Sequence, residues 1–208
     1  MKITAIQPQQ KQAERVNVHV DGAFRFALAQ ELLFRAGLHV GDPIDEERIR
    51  RLEHEDRAWK AREHALNLLS FRPRTAAELR QRLRRREVED DVVEAVVADL
   101  VEKGLVDDTA FAEIFVRDRV RLRPRGKRRL VQELRAKGVD RDTAAEAVGE
   151  VMEREDVSEV DLAREAVRKW ARRAGEDPQR ARRRLYGFLA RRGFGGDAVR
   201  QVMEEVEL

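Results

Sequence analysis

The chain has 208 residues, of which 42% are hydrophobic and 40% charged. That composition excludes the apolar-poor signature of disorder and predicts a folded, charge-rich protein. Cysteine is absent, so disulfides, thiolate nucleophiles and Cys-based zinc or iron–sulfur sites are excluded. The formal charge is only +3 against a sequence pI of about 9.5, so the placement of charge carries more information than its sum.

Only 12 glycines and 5 prolines punctuate long runs rich in Ala, Leu, Glu and Arg, and helix is the expected state for most of the chain. No apolar run approaches the ~20 residues of a membrane span and no leader-like apolar segment follows Met1, so a soluble cytoplasmic protein is expected. Near the N-terminus, Val16, Val18 and Val20 alternate with polar residues, Asp21-Gly22 interrupts, and Phe24, Phe26 and Leu28 resume the alternation. This predicts a β-hairpin with a two-residue turn, with Ile3 to Ile6 supplying a third strand. Ala29 to Ala36 then reads as a helix stopped by Gly37, with Leu32 and Leu33 inward, and Asp45 caps a charged helix carrying Ile49 and Leu52.

From about Ala58 the sequence repeats. Arg72-Pro73-Arg74 recurs as Arg123-Pro124-Arg125, an offset of 51, with Leu79, Leu83, Arg86, Val88 and Asp91 on Leu130, Leu134, Lys137, Val139 and Asp142. A further offset of 55 places Leu185, Leu189, Arg192, Phe194 and Asp197 in the same frame. Each unit reads as three helices: a first carrying Trp59, Ala65 and Leu69, or Phe111, Phe115 and Val120, or Ala166 and Trp170; a second entered at the proline; and a third capped by Asp91, Asp142 or Asp197. Val92, Val96, Val97 and Leu100 form an apolar stripe on the third helix, matched by Ala144, Ala147, Val148 and Val151, then by Val199, Val202, Met203 and Val206. The expected fold is therefore mainly α, with tandem three-helix repeats in an elongated, curved body and a small N-terminal β-hairpin module. Its divisions are 1–44 for the hairpin module, 45–57 for a connecting helix, and 58–108, 109–160 and 161–208 for the three repeats.

The repeat also organises the charge. Arg72–Arg86 carries +6, Val120–Lys137 carries +7 and Arg180–Arg192 carries +6, so the remainder of the chain is net acidic. All three segments are the second helix of a repeat and the loop entering it. With the leucines inward, Arg84, Arg85, Arg128, Arg135, Arg183 and Arg191 fall on the outer face, and Arg72, Arg74, Arg121, Arg123, Arg125 and Lys127 line the entry loops. These are the candidate partner-binding residues, suited to nucleic-acid phosphates or to an acidic protein surface. Catalytic patterns fail: Gly126-Lys127 lacks the rest of a phosphate loop, His54-Glu55 lacks a second histidine, and His19, His39, His54 and His64 do not cluster. Neither an enzyme nor a cofactor is expected.

Leu68-Leu69-Ser70-Phe71-Arg72-Pro73-Arg74-Thr75 with Glu78-Leu79, and Gly104-Leu105-Val106-Asp107-Asp108 with Phe111-Ala112, resemble the RecX family of recombination regulators. Arg117 to Val139, with Leu122-Arg123-Pro124-Arg125-Gly126-Lys127, Glu133-Leu134 and Lys137-Gly138-Val139, resembles it more closely, and Arg191-Arg192-Gly193-Phe194 continues the likeness. It runs from about Ala58 to the end and is looser over the hairpin. The resemblance implies an all-helical body of three-helix units that binds the RecA recombinase filament, halts its extension or promotes its disassembly, and so suppresses ATP hydrolysis, strand exchange and SOS coprotease activity. It also implies DNA contact in some members and brings no catalytic residues; through the arginine segments, weak, non-specific phosphate binding to DNA is the expectation. A monomer is expected.

Overall fold

The computed structural model describes residues 1–10, 12–170 and 177–206. Among these, three strands precede ten helices. β1 (Ile3–Pro8), β2 (Arg15–Val20) and β3 (Ala23–Ala29) form an antiparallel sheet in the order β1-β2-β3. The β2–β3 turn places Asp21 at φ 50° and Gly22 at φ 87°, the positive values a two-residue hairpin turn needs to match strand twist. The pairing shifts between Val18 and His19, and this bulge alters the expected alternation. Val16, Val18, Val20, Phe26 and Leu28 face inward, but Phe24 is 58% exposed, its ring edge-on to His19. Sequence alternation alone places Phe24 inside; the extra residue turns it out.

α1 (Gln30–Arg35) ends where Gly37 adopts φ 60°, and its Leu32 is buried on the sheet with Leu38, Ile44, Ile49 and Leu52. Asp45 caps α2 (Glu46–Phe71) by accepting from the Arg48 N–H at 2.7 Å. α2 runs unbroken for 26 residues, through the 57/58 division between connecting helix and first repeat, because neither proline nor glycine interrupts it before Pro73. Its N-terminal half covers the sheet and its C-terminal half, with Ala61 and Ala65 buried, is the first helix of the first repeat.

One ion pair, unforeseen in the sequence, fastens α2 to the sheet. The Arg15 guanidinium donates to both Asp56 oxygens at 3.0 and 2.8 Å, and the Ala29 N–H donates to Oδ1 at 2.9 Å. Arg15 is 7% and Asp56 3% exposed. Burial alone would push the Asp56 carboxyl up, but hydrogen bonds from Arg15, Lys60 and Ala29 outweigh it and hold the group below its usual range.

α3 (Ala76–Arg84), α4 (Asp90–Glu102), α5 (Asp108–Leu122), α6 (Lys127–Ala136), α7 (Arg141–Arg154), α8 (Glu159–Arg168), α9 (Pro178–Arg191) and α10 (Gly196–Glu205) complete the three-helix repeats. Leu79 and Leu83, Leu130 and Leu134, and Leu185 and Leu189 are all fully buried, so the two offsets mark structurally equivalent positions. Phe111, Phe115, Leu130, Leu134, Val148, Leu162, Leu185 and Val202 belong to one continuous core.

Three local expectations shift. Asp91, Asp142 and Asp197 are equivalent, but each is the second residue of its helix. Asp140 is the cap of α7, and Gly195 occupies that place before α10. Carboxylates in the first turn oppose the positive end of the helix dipole, which explains their recurrence without a capping bond. Pro73 and Pro124 stand three residues before α3 and α6 rather than in the first turn; only Pro178 opens its helix. What the first two prolines do is end the preceding helices, since a residue before proline is pushed out of helical geometry and Arg72 accordingly lies at φ −168°, ψ 156°. On α4 the register equivalent of Ala144 is Val93, fully buried beside Val92.

The contacts divide the chain into two compact units: Met1–Arg72 with Leu79–Glu102, and Pro73–Glu78 with Lys103–Leu208. No described helix is long and apolar enough to cross a membrane.

Two predictions follow from the packing. Leu83→Ala or Leu134→Ala should cost roughly 2–5 kcal/mol in urea melts through loss of buried methyls and the cavity left behind, and a loss below about 0.5 kcal/mol would mean an exposed side chain. Asp56→Ala strands a buried guanidinium and should cost about 3–5 kcal/mol. Because the folded carboxyl has a lowered pKa, its contribution is present above the unfolded value near 3.9 and lost as pH falls through the folded one. Acid titration of melting temperature should therefore show a shallower acid limb in the Asp56→Asn variant than in the parent chain.

Candidate basic interaction site

Each second helix of a repeat buries its leucine pair and by the 100° step turns flanking arginines such as Arg84, Arg128, Arg135, Arg183 and Arg191 outward. The resulting cations fall into two chemical groups. In the first, carboxylates are already engaged. Arg84 donates to Asp90 at 2.7 Å and Glu94 at 2.9 Å, and the Asp90 hydrogen bond leads in raising its pKa. Arg121 forks onto Glu155 at 2.8 to 3.2 Å, a contact that draws the Glu155 carboxyl below its usual range. Arg74 is nearly covered, with Nη1 4.0 Å from Glu78. These residues belong in part to the scaffold.

In the second group, Arg85, Arg123, Lys127, Arg128, Arg135, Arg183 and Arg191 are exposed, with no carboxylate in ion-pair reach of their side chains among the described residues. Arg72 is exposed at the end of α2. Arg84 and Arg85 lie in the first compact unit, as does Arg72; the other sequence-predicted residues lie in the second.

The middle repeat gathers several of them around a cavity of about 450 Å³ walled by Phe115, Arg119, Arg123, Arg125, Glu133 and Lys137. Arg119 lies 4.4 Å above the Phe115 ring and donates to Glu133 at 3.1 Å. Arg129 reaches the same carboxylate at 3.0 Å. Burial pushes the Glu133 carboxyl up, but the Arg119 and Arg129 hydrogen bonds and the Arg125 charge prevail and hold it below the ordinary range. Lys137 Nζ is 2.9 Å from Glu78 and 5.8 Å from the rings of Phe111 and Phe115. Arg125 Nε is buried without an acceptor, 3.9 Å from Glu133, a state that costs about 1–3 kcal/mol.

Sequence reasoning names Arg123 and Arg125 here but misses Arg119, Arg129, Glu133, Phe115 and Arg192. The i,i+4 spacing of Arg129 and Glu133, and the match of Lys137 with Arg192 across the 55-residue offset, are the signals available for them. The arrangement presents forked donors to phosphate or carboxylate and contains no group of His, Asp or Glu suited to a metal among the described residues. One further feature of the surface recurs: Phe71 and Leu122, the last residues of α2 and α5, are 79% and 73% exposed, and each directly precedes the Arg-Pro-Arg element.

Family models agree with this architecture segment by segment. A model for the RecX N-terminal domain matches residues 1–45, and models for the first, second and third RecX three-helix domains match 61–100, 107–148 and 158–203. A regulatory protein RecX of Amycolatopsis mediterranei is 44% identical over 155 residues, covering 74% of this chain and 87% of its own. One from Clostridium perfringens is 30% identical over 206 residues, covering 99% and 96%. Among solved structures, a regulatory protein RecX superposes with a TM-score of 0.76 over 99% of both chains at 24% identity. RecX from Lactobacillus salivarius gives 0.63 over 73% of this chain and 97% of that one, also at 24% identity. With a sheet module and three successive three-helix repeats each matched in order, the chain belongs to the RecX family of regulatory proteins.

Proposed function

We propose that the protein is a non-enzymatic, monomeric cytoplasmic regulator that binds the RecA recombinase filament and mainly inhibits its assembly, ATPase, strand exchange and coprotease activities. Family membership supports the regulatory role. The observation that carries protein binding is the recurrence of an exposed apolar residue beside an arginine at equivalent places, Phe71-Arg72 and Leu122-Arg123. An exposed apolar side chain flanked by a forked cation suits a protein surface that offers both a pocket and a carboxylate. Two like elements on one chain suit a partner built of like protomers, because the second contact forms at high effective concentration. The cluster Arg123, Arg125, Lys127 and Arg128 contributes to the same inhibition.

A second reading, DNA binding through phosphate contacts, draws on the exposed arginines Arg128, Arg135, Arg183 and Arg191 on second helices of the repeats and Arg85 just past the end of α3. They carry no base-reading motif, so any such binding is weak and indifferent to sequence.

Preformed recombinase filaments hydrolysing ATP provide the test. Phe71→Ser with Leu122→Ser should leave melting within about 0.5 kcal/mol of the parent, since both side chains are exposed. It should weaken inhibition by about tenfold or more. Folded Arg123→Gln/Arg125→Gln/Arg128→Gln protein should also lose potency, and full inhibition by both variants would sink the assignment. For DNA, neutralising about six phosphates gives a slope near −5 in log K against log salt, and a salt-insensitive complex would remove the second reading.

A further inference from the structure

Two contacts between successive repeats lie within the second compact unit and are built alike. At the first, the segment entering α3 packs on the end of α6: Thr75 donates its hydroxyl to the Lys137 carbonyl at 2.6 Å, and a Cβ on Gly138 would fall 2.1 Å from that of Ala77. At the second, the segment entering α6 packs on the end of α9: the Gly126 N–H donates to the Arg192 carbonyl at 3.0 Å, and a Cβ on Gly126 would fall 2.1 Å from the Gly193 oxygen. By the two offsets, Arg74 corresponds to Arg125, Glu78 to Arg129, Lys137 to Arg192 and Gly138 to Gly193.

The close approach and the accepting carbonyl are retained, with a hydroxyl donating at the first contact and a backbone N–H at the second, but the charge is not. At the first contact Glu78 stands between two cations, 2.9 Å from Lys137 Nζ and 4.0 Å from Arg74 Nη1. At the second, the place of that glutamate is taken by Arg129, beside Arg125 and Arg192. Burial, then the Arg125 charge, holds the Arg192 guanidinium below the usual arginine range. Glu133 is the nearest relief, and its oxygens are already engaged by Arg119 and Arg129. Arg125 Nε is left buried with no acceptor, and Arg123, next to it on the cavity wall, has no carboxylate among the described residues. The first N–H of α6, that of Lys127, is already taken up by Glu159 at 2.9 Å, and the same carboxylate accepts from the Gly195 N–H at 3.2 Å.

We propose that this cavity binds one phosphate group, gripped by Arg123 and Arg125 with Arg119 and Lys137 behind them. Donors converge from the α5 end, the entry loop and α6, a spread that several oxygens of a tetrahedral anion meet better than the two of a carboxylate. The Phe115 ring, covered by Arg119, forms a wall that carries no competing acceptor. The group is either free phosphate or a phosphodiester of a nucleic-acid strand. Because the site is defined without the recombinase, it stands or falls separately from the filament reading.

The full chain is titrated with inorganic phosphate by calorimetry, with sodium chloride at matched ionic strength as the blank. Saturable one-to-one binding is expected. Arg123→Gln, an exposed position whose loss leaves the core untouched, should weaken it by about tenfold. Arg125→Gln should do the same, and should it unfold, Arg123→Gln decides. Arg50→Gln/Arg141→Gln removes two charges from exposed positions of α2 and α7 and should leave phosphate affinity within about twofold. A folded parent chain without saturable phosphate binding, or equal weakening in the Arg50/Arg141 control, overturns the proposal. An abasic oligodeoxynucleotide that competes with phosphate identifies a strand as the source; one that does not identifies free phosphate.

Discussion

A pair of leucines four residues apart on the second helix of each repeat determines where the rest of that helix points. Leu79 and Leu83, Leu130 and Leu134, and Leu185 and Leu189 are fully withdrawn from water, and burying two such side chains is worth several kcal/mol. That gain sets the rotation of a helix whose other residues are mostly cationic. Arg84 and Arg85, Arg128 and Arg135, and Arg183 and Arg191 are then forced to the surface by geometry, whatever partner they meet. The basic surface is in this sense a by-product of the core. Its use depends on which cations the acidic remainder of the chain leaves unneutralised.

Sequence repetition and structural repetition diverge over that neutralisation. Arg84 and Arg121 are drawn into ion pairs with Asp90, Glu94 and Glu155, side chains on other elements of the fold. Exposed pairs of this kind add little stability, but they do remove cations from the set available to an external anion. The middle repeat retains uncompensated positive charge in one concavity, and Arg129 stands where the first repeat has Glu78. One residue change in a duplicated framework thus turns a self-neutralising contact into a cationic one while the equivalent carbonyl still accepts across it.

The repeat frame, the leucine pairs, the apolar stripes and the hairpin were legible in the sequence because each is periodic and local, and periodicity survives inspection one window at a time. The bulge at Val18/His19 that turns Phe24 outward was not, since it depends on pairing with another strand. Nor was the Arg15–Asp56 pair, which joins residues 41 apart that nothing in their local contexts links. For the candidate site, the arginines were legible as a set, but their division into paired and unpaired members was not. That division needs the third dimension: Glu155 lies 34 residues from Arg121, and only folding brings them within 2.8 Å. Capping is the commonest use of an aspartate near a helix start, whereas the structure uses Asp91, Asp142 and Asp197 for their charge in the first turn.

The unbroken course of α2 has a consequence for how the chain can be divided. At about 1.5 Å per residue, its 26 residues make a rod of roughly 39 Å shared by two hydrophobic neighbourhoods. One end clothes the sheet with Ile49 and Leu52; the other lends Ala61 and Ala65 to the first repeat. A severed N-terminal fragment would forfeit its lid, and a repeat fragment beginning at Glu46 would carry naked apolar flanks and an Asp56 stripped of Arg15. Evolutionary shuffling of the sheet module onto another scaffold would have to take the rod with it. The module and the first repeat are better regarded as a joint inheritance than as beads on a string.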